Sequence, residues 1–144
     1  MKLSIIIVNY NVTTLLRNCL ISIQRFVQNI DYEVIVIDNQ SPDSSWKYLI
    51  NEFPTVKFIE NSGNEGFAKA NNKAAKLATG EYILLLNPDT AFEEDSMKEI
   101  LDFADVQSNF GCLGVRLHDL EGRFLPESKR SVPDVFNSFE KLFT

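Results

Sequence analysis

Leu3-Ser4-Ile5-Ile6-Ile7-Val8 is an apolar, β-branched run that stops at Asn9-Tyr10-Asn11. It lacks the apolar/polar alternation of a strand with one wet face. Such a run reads as a strand buried on both sides, the pattern of a parallel sheet covered by helices above and below. A parallel neighbour requires a long crossover, and the next residues supply one. Leu15, Leu16, Cys19, Leu20, Ile23, Phe26 and Val27 recur at helical spacing, with Asn11 or Thr13 as N-cap.

The pattern then repeats. Glu33–Ile37 is a second buried strand, ended by Asp38-Asn39. Ser41-Pro42-Asp43-Ser44 has turn chemistry and opens a second helix carrying Trp46, Leu49, Ile50 and Phe53. Val56–Ile59 is a shorter third strand, followed by the polar loop Asn61–Gly66. A third helix runs from about Phe67 to Ala78, with Gly80 as its C′ residue. Tyr82–Leu86 is a fourth buried strand, closed by Asn87-Pro88-Asp89-Thr90. Glu93, Glu94 and Asp95 suit the positive first turn of a fourth helix with Met97, Ile100, Leu101 and Ala104 inward. Cys112–Leu117 reads as a fifth strand. The expected fold class is α/β: three α/β/α layers around a mainly parallel, open sheet, with Leu3–Val8, Glu33–Ile37 and Tyr82–Leu86 central.

The 144 residues suit one domain, and no repeat or linker divides them. The formal charge of −6 argues against nonspecific binding to nucleic acid or anionic lipid. A polyanionic ligand would need a metal ion or a local basic group beside it. Two cysteines, Cys19 and Cys112, are too few for a disulfide framework or a zinc site, and Cys19 reads as a buried thiol. His118, the single histidine, sits in a turn-like stretch that gives it no catalytic setting. Leu3–Val8 is too short for a signal core, and no segment approaches the roughly 20 apolar residues of a membrane span. The expected location is the cytoplasm, with peripheral attachment at the inner face of the membrane left open.

In an open α/β sheet, ligands bind beyond the carboxyl ends of the strands. Four polar loops fall there: Asn9-Tyr10-Asn11, Asp38-Asn39-Gln40-Ser41, Asn61–Gly66 and Asn87-Pro88-Asp89. Each alone is ordinary turn chemistry. All four at one expected edge point to a site.

Together they resemble the opening of family 2 glycosyltransferases of the GT-A fold. Ser4–Asn11 and Val36–Ser41 match the first two strand ends. Asn61-Ser62-Gly63-Asn64-Glu65-Gly66-Phe67-Ala68-Lys69-Ala70-Asn71-Asn72 is similar to the family's N-x-G-F-x-x-A-N-N stretch. Leu84-Leu85-Leu86-Asn87-Pro88-Asp89-Thr90 is similar to its D-x-D-type metal motif, in the N-P-D form of rhamnosyl- and galactofuranosyl-transferase-like members.

The resemblance implies a Rossmann-like fold and sugar transfer, inverting, from a nucleotide-diphosphate sugar to a glycan or lipid-linked acceptor. It places Val8, Asn9 and Tyr10 around the base and makes Asp38 the acceptor for a base N–H. Asn39 and Ser41 join them in the nucleotide site. Gly66 allows close approach of the backbone, supported by Phe67 and Asn71, and Asn87 reaches a ribose hydroxyl. Asp89 holds Mg²⁺ or Mn²⁺ against the diphosphate. Asn87 replaces the first acid of the usual motif, so metal affinity without nucleotide is expected to be weak.

An acidic general base, which inverting members carry further on, has no match before Thr144. Glu93-Glu94-Asp95 lies too close to Asp89, and Glu127 and Asp134 come too early. The expectation is a chain truncated on its acceptor side, and the alternative is a nucleotide-sugar-binding module without turnover. Phe136, Phe139, Leu142 and Phe143 share one helical face, expected to fold back, be disordered or pair with a second copy. A dehydrogenase would show G-x-G-x-x-G after the first strand, and a P-loop enzyme its G-x-x-x-x-G-K-[ST]. A nucleotidyltransferase would have a basic, Gly-rich loop there and a receiver domain an acidic pair. Asn9-Tyr10-Asn11 is none of these.

Overall fold

The computed structural model describes residues 1–109, 111–119 and 121–125. The chain divides into two compact units, Met1–Asp102 and Phe103–Thr144. The boundary falls inside a helix, which is why no linker composition marks it.

In the first unit, β1 (Leu3–Asn9), β2 (Tyr32–Asp38), β3 (Lys57–Glu60) and β4 (Tyr82–Leu86) form one sheet in the order β3-β2-β1-β4. Every pairing is parallel. The connections are α1 (Thr13–Phe26), a 3₁₀ turn (Ser45–Tyr48) running into the single-turn α2 (Leu49–Glu52), and α3 (Phe67–Ala75). α4 (Met97–Asp105) follows β4 and crosses the unit boundary.

Strand alternation sorts the core into two clusters. Leu3, Ile5, Ile7, Val34 and Val36 pack on one face with Leu16, Cys19, Leu20 and Ile23 of α1, Leu49 of α2, and Met97 and Leu101 of α4. Ile6, Val8, Ile35 and Ile37 face the other way, against Ala70 and Ala74 of α3. The two clusters make the α/β/α layering expected from the unbroken apolar strands. At about 25 cal/mol per Å² of apolar surface, burial on both faces is the main force holding β1 and β2 central.

Several expectations are corrected. β4 is not buried on both faces: Ile83 and Leu85 are about half exposed, whereas Leu84 and Leu86 pack on the α1 side. Pairing of Leu85 with Ile6 puts the exposed pair on the α3 side, where α3 covers β1 and β2. β4 is therefore an edge strand among the described residues. The second helix is a 3₁₀ turn plus one α turn; Trp46, Leu49 and Phe53 are buried but Ile50 is exposed. Leu15 is likewise exposed on α1, whose N-cap is Val12, with no side-chain cap from Asn11 or Thr13.

Gly80 does not cap α3, which ends at Ala75. Instead it lies against β1, where a Cβ would come 2.5 Å from Ser4 N. Glu93, Glu94 and Asp95 precede α4, which opens after Ser96 and has Glu99 in its first turn. The second unit shows no ladder at Cys112–Leu117. Gly111 and Gly114 weaken that stretch as a strand, and among the described residues its regular pairing is limited to an isolated antiparallel bridge, His118 with Phe124. The turn between them is closed by the Asp119 carboxylate, which accepts from the Glu121 and Arg123 N–H groups, with Gly122 at φ 76°. Glu127, Asp134 and the Phe136–Phe143 face lie outside the described residues.

Candidate functional site

All four strands run in one direction, so the loops after them open on one edge. Register fixes this closely: Asn9 pairs with Asp38, Asp38 with Glu60, and Ile7 with Leu86. The ladder extends one step into the loops, since Asn39 N–H donates to the Asn9 carbonyl and Asn61 N–H to that of Asp38. Asp38 and Asp89 therefore share the carboxyl edge.

The loops after β1 and β2 are tied by buried polar side chains. Asn9 Nδ2 donates to Asp38 Oδ1 at 2.7 Å, and the Ser41 hydroxyl donates to the same oxygen at 2.6 Å. Ser41 N–H donates to Asp38 Oδ2 at 2.8 Å. The Ser41 oxygen in turn accepts from Asn11 N–H at 2.8 Å. Asp38 has no solvent exposure, and both of its oxygens are engaged within the chain. Within the chain, the contacts of Asp38 are with Asn9 and Ser41.

A second cluster joins the loops after β2 and β3. Asn39 Oδ1 accepts from Asn61 Nδ2 at 2.8 Å, and Asn39 Nδ2 donates to Asn64 Oδ1 at 3.2 Å. Lys73 from α3 reaches Asn61 Oδ1. Asn64 also accepts from Gly66 N–H at 3.0 Å, setting the entry to α3. Gly66 stands at φ 79°, a conformation that favours glycine, and nothing lies within 4 Å of where its Cβ would be. Asn11, Gln40 and Ser44, in the loops of this edge, also have positive φ.

The other sequence-predicted residues divide by exposure. Val8 is buried in the α3-side core, whereas Tyr10 and Phe67 are about half exposed. Asn71 bonds back to the Phe67 carbonyl at 3.0 Å, within its own helix. Asn87 and Asp89 are exposed. The Asn87 carbonyl accepts from the Thr90 hydroxyl at 2.7 Å, closing the turn that carries Asp89. Sequence reasoning gives Asn61, Asn64 and Lys73 no role of their own; only their place in or after the Asn61–Gly66 loop hints at them.

α1 supports the Asp89 turn from below. Cys19 Sγ lies 3.9 Å from the Asn87 carbonyl. Burial, seconded by the charge of Asp89, pushes the Cys19 thiol up to about 12. The buried free thiol expected at Cys19 is what the structure shows.

For a divalent metal, the donor set is one exposed carboxylate, Asp89, beside the neutral Asn87. No group of three or more His, Cys, Asp or Glu positioned for a metal occurs among the described residues. That set does not cage an ion by itself. It fits Mg²⁺ or Mn²⁺ that takes most of its oxygens from phosphate and water. Among the described residues no helix is long and apolar enough to cross a membrane.

Comparison with known proteins agrees with this architecture. The family described as Glycosyl transferase family 2 matches residues 4–143. The chain is 34% identical over 142 residues to a poly(ribitol-phosphate) beta-glucosyltransferase of Bacillus spizizenii, covering 94% of this chain and 22% of that protein. It is 28% identical to a dolichol-phosphate mannosyltransferase of Pyrococcus furiosus, covering 71% of this chain and 30% of the relative. The chain thus spans less than a third of the length of these relatives.

Among solved structures, Staphylococcus aureus TarS 1-349 in complex with UDP-GlcNAc superposes with a TM-score of 0.65 at 26% identity, over 73% of this chain and 31% of that one. The mannosyltransferase PcManGT from Pyrobaculum calidifontis, in complex with GDP-Man and Mn²⁺, gives 0.59 at 26% identity, over 66% and 29%. The parallel sheet with its polar carboxyl edge is of the GT-A type, and the chain belongs to glycosyl transferase family 2.

Proposed function

We propose that the carboxyl edge of the sheet binds the nucleoside diphosphate part of a sugar donor. The chain would serve as the donor half of an inverting glycosyltransferase acting on a glycan or lipid-linked acceptor. One observation carries this: the loops after β1, β2 and β3 are bonded into one polar edge, and β4 delivers the exposed Asp89 to that edge. The TarS structure with UDP-GlcNAc and the PcManGT structure with GDP-Man and Mn²⁺ support the reading.

In this reading Tyr10 borders the base, backed by the buried Asn9 and Asn39; Gly66 and Phe67 form the wall on the α3 side, and Asn87 reaches the ribose. Asp89 holds Mg²⁺ or Mn²⁺. When bound, that ion offsets the diphosphate charge and polarises the leaving group as a Lewis acid. Because Asp89 is the single carboxylate of the motif, metal and nucleotide are expected to bind together rather than in sequence.

Calorimetric titration of the chain with UDP, GDP and dTDP, with and without Mn²⁺, tests the reading. At least one should bind, more tightly with metal, and Asp89→Ala should remove the metal-dependent gain while leaving metal-free affinity. No binding of any of the three by the wild-type chain in Mn²⁺ would sink it. A transfer assay with sugar donors separates donor binding from turnover.

A further inference from the structure

We infer that Asp38 is a positioning residue, which sets the shape of the nucleotide site without touching the nucleotide; this rests on the donor-site reading above. Asp38 sits at the end of β2 with no solvent exposure. Its three acceptor contacts are Asn9 Nδ2, Ser41 N–H and the Ser41 hydroxyl, at 2.7, 2.8 and 2.6 Å. A carboxylate so engaged, with no solvent exposure, presents no accessible oxygen to a ligand.

What it fixes is outward-facing. Through Ser41 Oγ, which accepts from Asn11 N–H at 2.8 Å, Asp38 sets the backbone just after Tyr10. Asn11 there has φ 57° and Gln40 has φ 63°, left-handed conformations that Asn takes readily and Gln takes only when its surroundings hold it. Asp38 is thus a clamp between two loops, with Ser41 as its second jaw. Ser41, itself buried, has its hydroxyl consumed in the same clamp.

Asn9 makes the inference testable. A carboxylate can only accept, so Asn9 must turn its Nδ2 toward Asp38, and among the described residues its buried Oδ1 meets no donor. In the Asp38→Asn variant, the Asn9 amide can turn over and accept from the amide group introduced at position 38. The oxygen of that introduced amide can still take the Ser41 N–H. The Ser41 hydroxyl, losing Oδ1 as its acceptor, can donate to the turned Asn9 oxygen, since in the wild type Asn9 Nδ2 lies 3.3 Å from Ser41 Oγ. The clamp survives Asp38→Asn but not Asp38→Ala, which strands the Ser41 donors and leaves Asn9 Nδ2 only its longer contact to Ser41 Oγ at 3.3 Å. A direct contact from Asp38 to a base N–H would lose its charge-assisted acceptor in both variants, so Asp38→Asn would lose affinity while the Asn11 and Ser41 amides stay protected.

The experiment compares wild type, Asp38→Asn and Asp38→Ala by titration with UDP, GDP and dTDP in Mn²⁺, and by amide hydrogen exchange at Asn11 and Ser41. Asp38→Asn should bind within about threefold of wild type and keep both amides protected. Asp38→Ala should lose about tenfold or more, the usual scale for stranding buried donors, and lose that protection. Binding by wild type, with the amide variant losing as much as the alanine variant, overturns the positioning role and restores a direct contact. Absence of binding by wild type overturns the donor-site reading itself, whatever the exchange shows. If Asp38→Ala does not fold, Asp38→Asn alone still decides, since a direct contact predicts its loss of affinity.

Discussion

The Ser22 hydroxyl on α1 accepts a hydrogen bond from the Phe92 backbone N–H at 3.1 Å while donating to the Cys19 carbonyl at 2.7 Å. With Cys19 under Asn87, this anchors both ends of the segment that carries Asp89. Ser22→Ala leaves a part-buried N–H without its partner, a loss of about 1–3 kcal/mol. Denaturant unfolding should show that loss. Nucleotide affinity in Mn²⁺ should fall more than affinity without metal; equal falls would show that the anchor does not reach Asp89.

Gly80 offers a harsher test of packing. A Cβ there would lie 2.5 Å from Ser4 N and 2.7 Å from Leu3 C, both backbone atoms of the central strand. Neither can move without disturbing the β1 ladder. Gly80→Ala should therefore destabilise at the upper end of overpacking changes, about 3 kcal/mol. Thermal unfolding of the variant measures it, and an unchanged midpoint would contradict the close approach.

The two thiols should separate cleanly. Cys19 is fully buried and its thiol is pushed up to about 12, whereas Cys112 is exposed. An aromatic disulfide reagent at pH ~8, near the ordinary thiol range, should titrate one thiol in the native chain and two in denaturant. Rapid modification of both under native conditions would place Cys19 outside the core.

Glu33 supplies a pH dependence. Partial burial pushes its carboxyl up, but hydrogen bonds from the Ser4 hydroxyl and from Thr79 N–H and hydroxyl, with the charge of Lys57, outweigh this and hold it below its ordinary value. Each hydrogen bond is 2.7 Å and falls on one oxygen. A depressed folded-state value stabilises above the ordinary carboxylate range and is lost as pH falls through it. Glu33→Gln should therefore lower the melting point at about pH 7 and lower it less near pH ~3, below the ordinary carboxylate range. A gap that widens on acidification would reverse the sign of the argument.

Sequence alone determined the α/β class, because Leu3–Val8 and Glu33–Ile37 are apolar on both faces and only a covered parallel sheet buries both. It also determined that the polar loops share an edge, since parallel strands end on one side. It could not determine how β4 is covered: Tyr82–Leu86 has the same composition as a central strand, and its half-exposed face depends on which neighbours cover it. Nor could it show that Cys112–Leu117 lacks a ladder, because a strand needs a partner's hydrogen bonds as well as apolar residues. Asp38 is the sharpest case. Its position at a strand end was legible, but whether its carboxylate faces a ligand or the chain rests on Asn9 and Ser41, which meet it only across strands and turns. Only tertiary structure brings those donors to Asp38, because hydrogen bonds are directional and Asn9 and Ser41 reach it from another strand and the following turn.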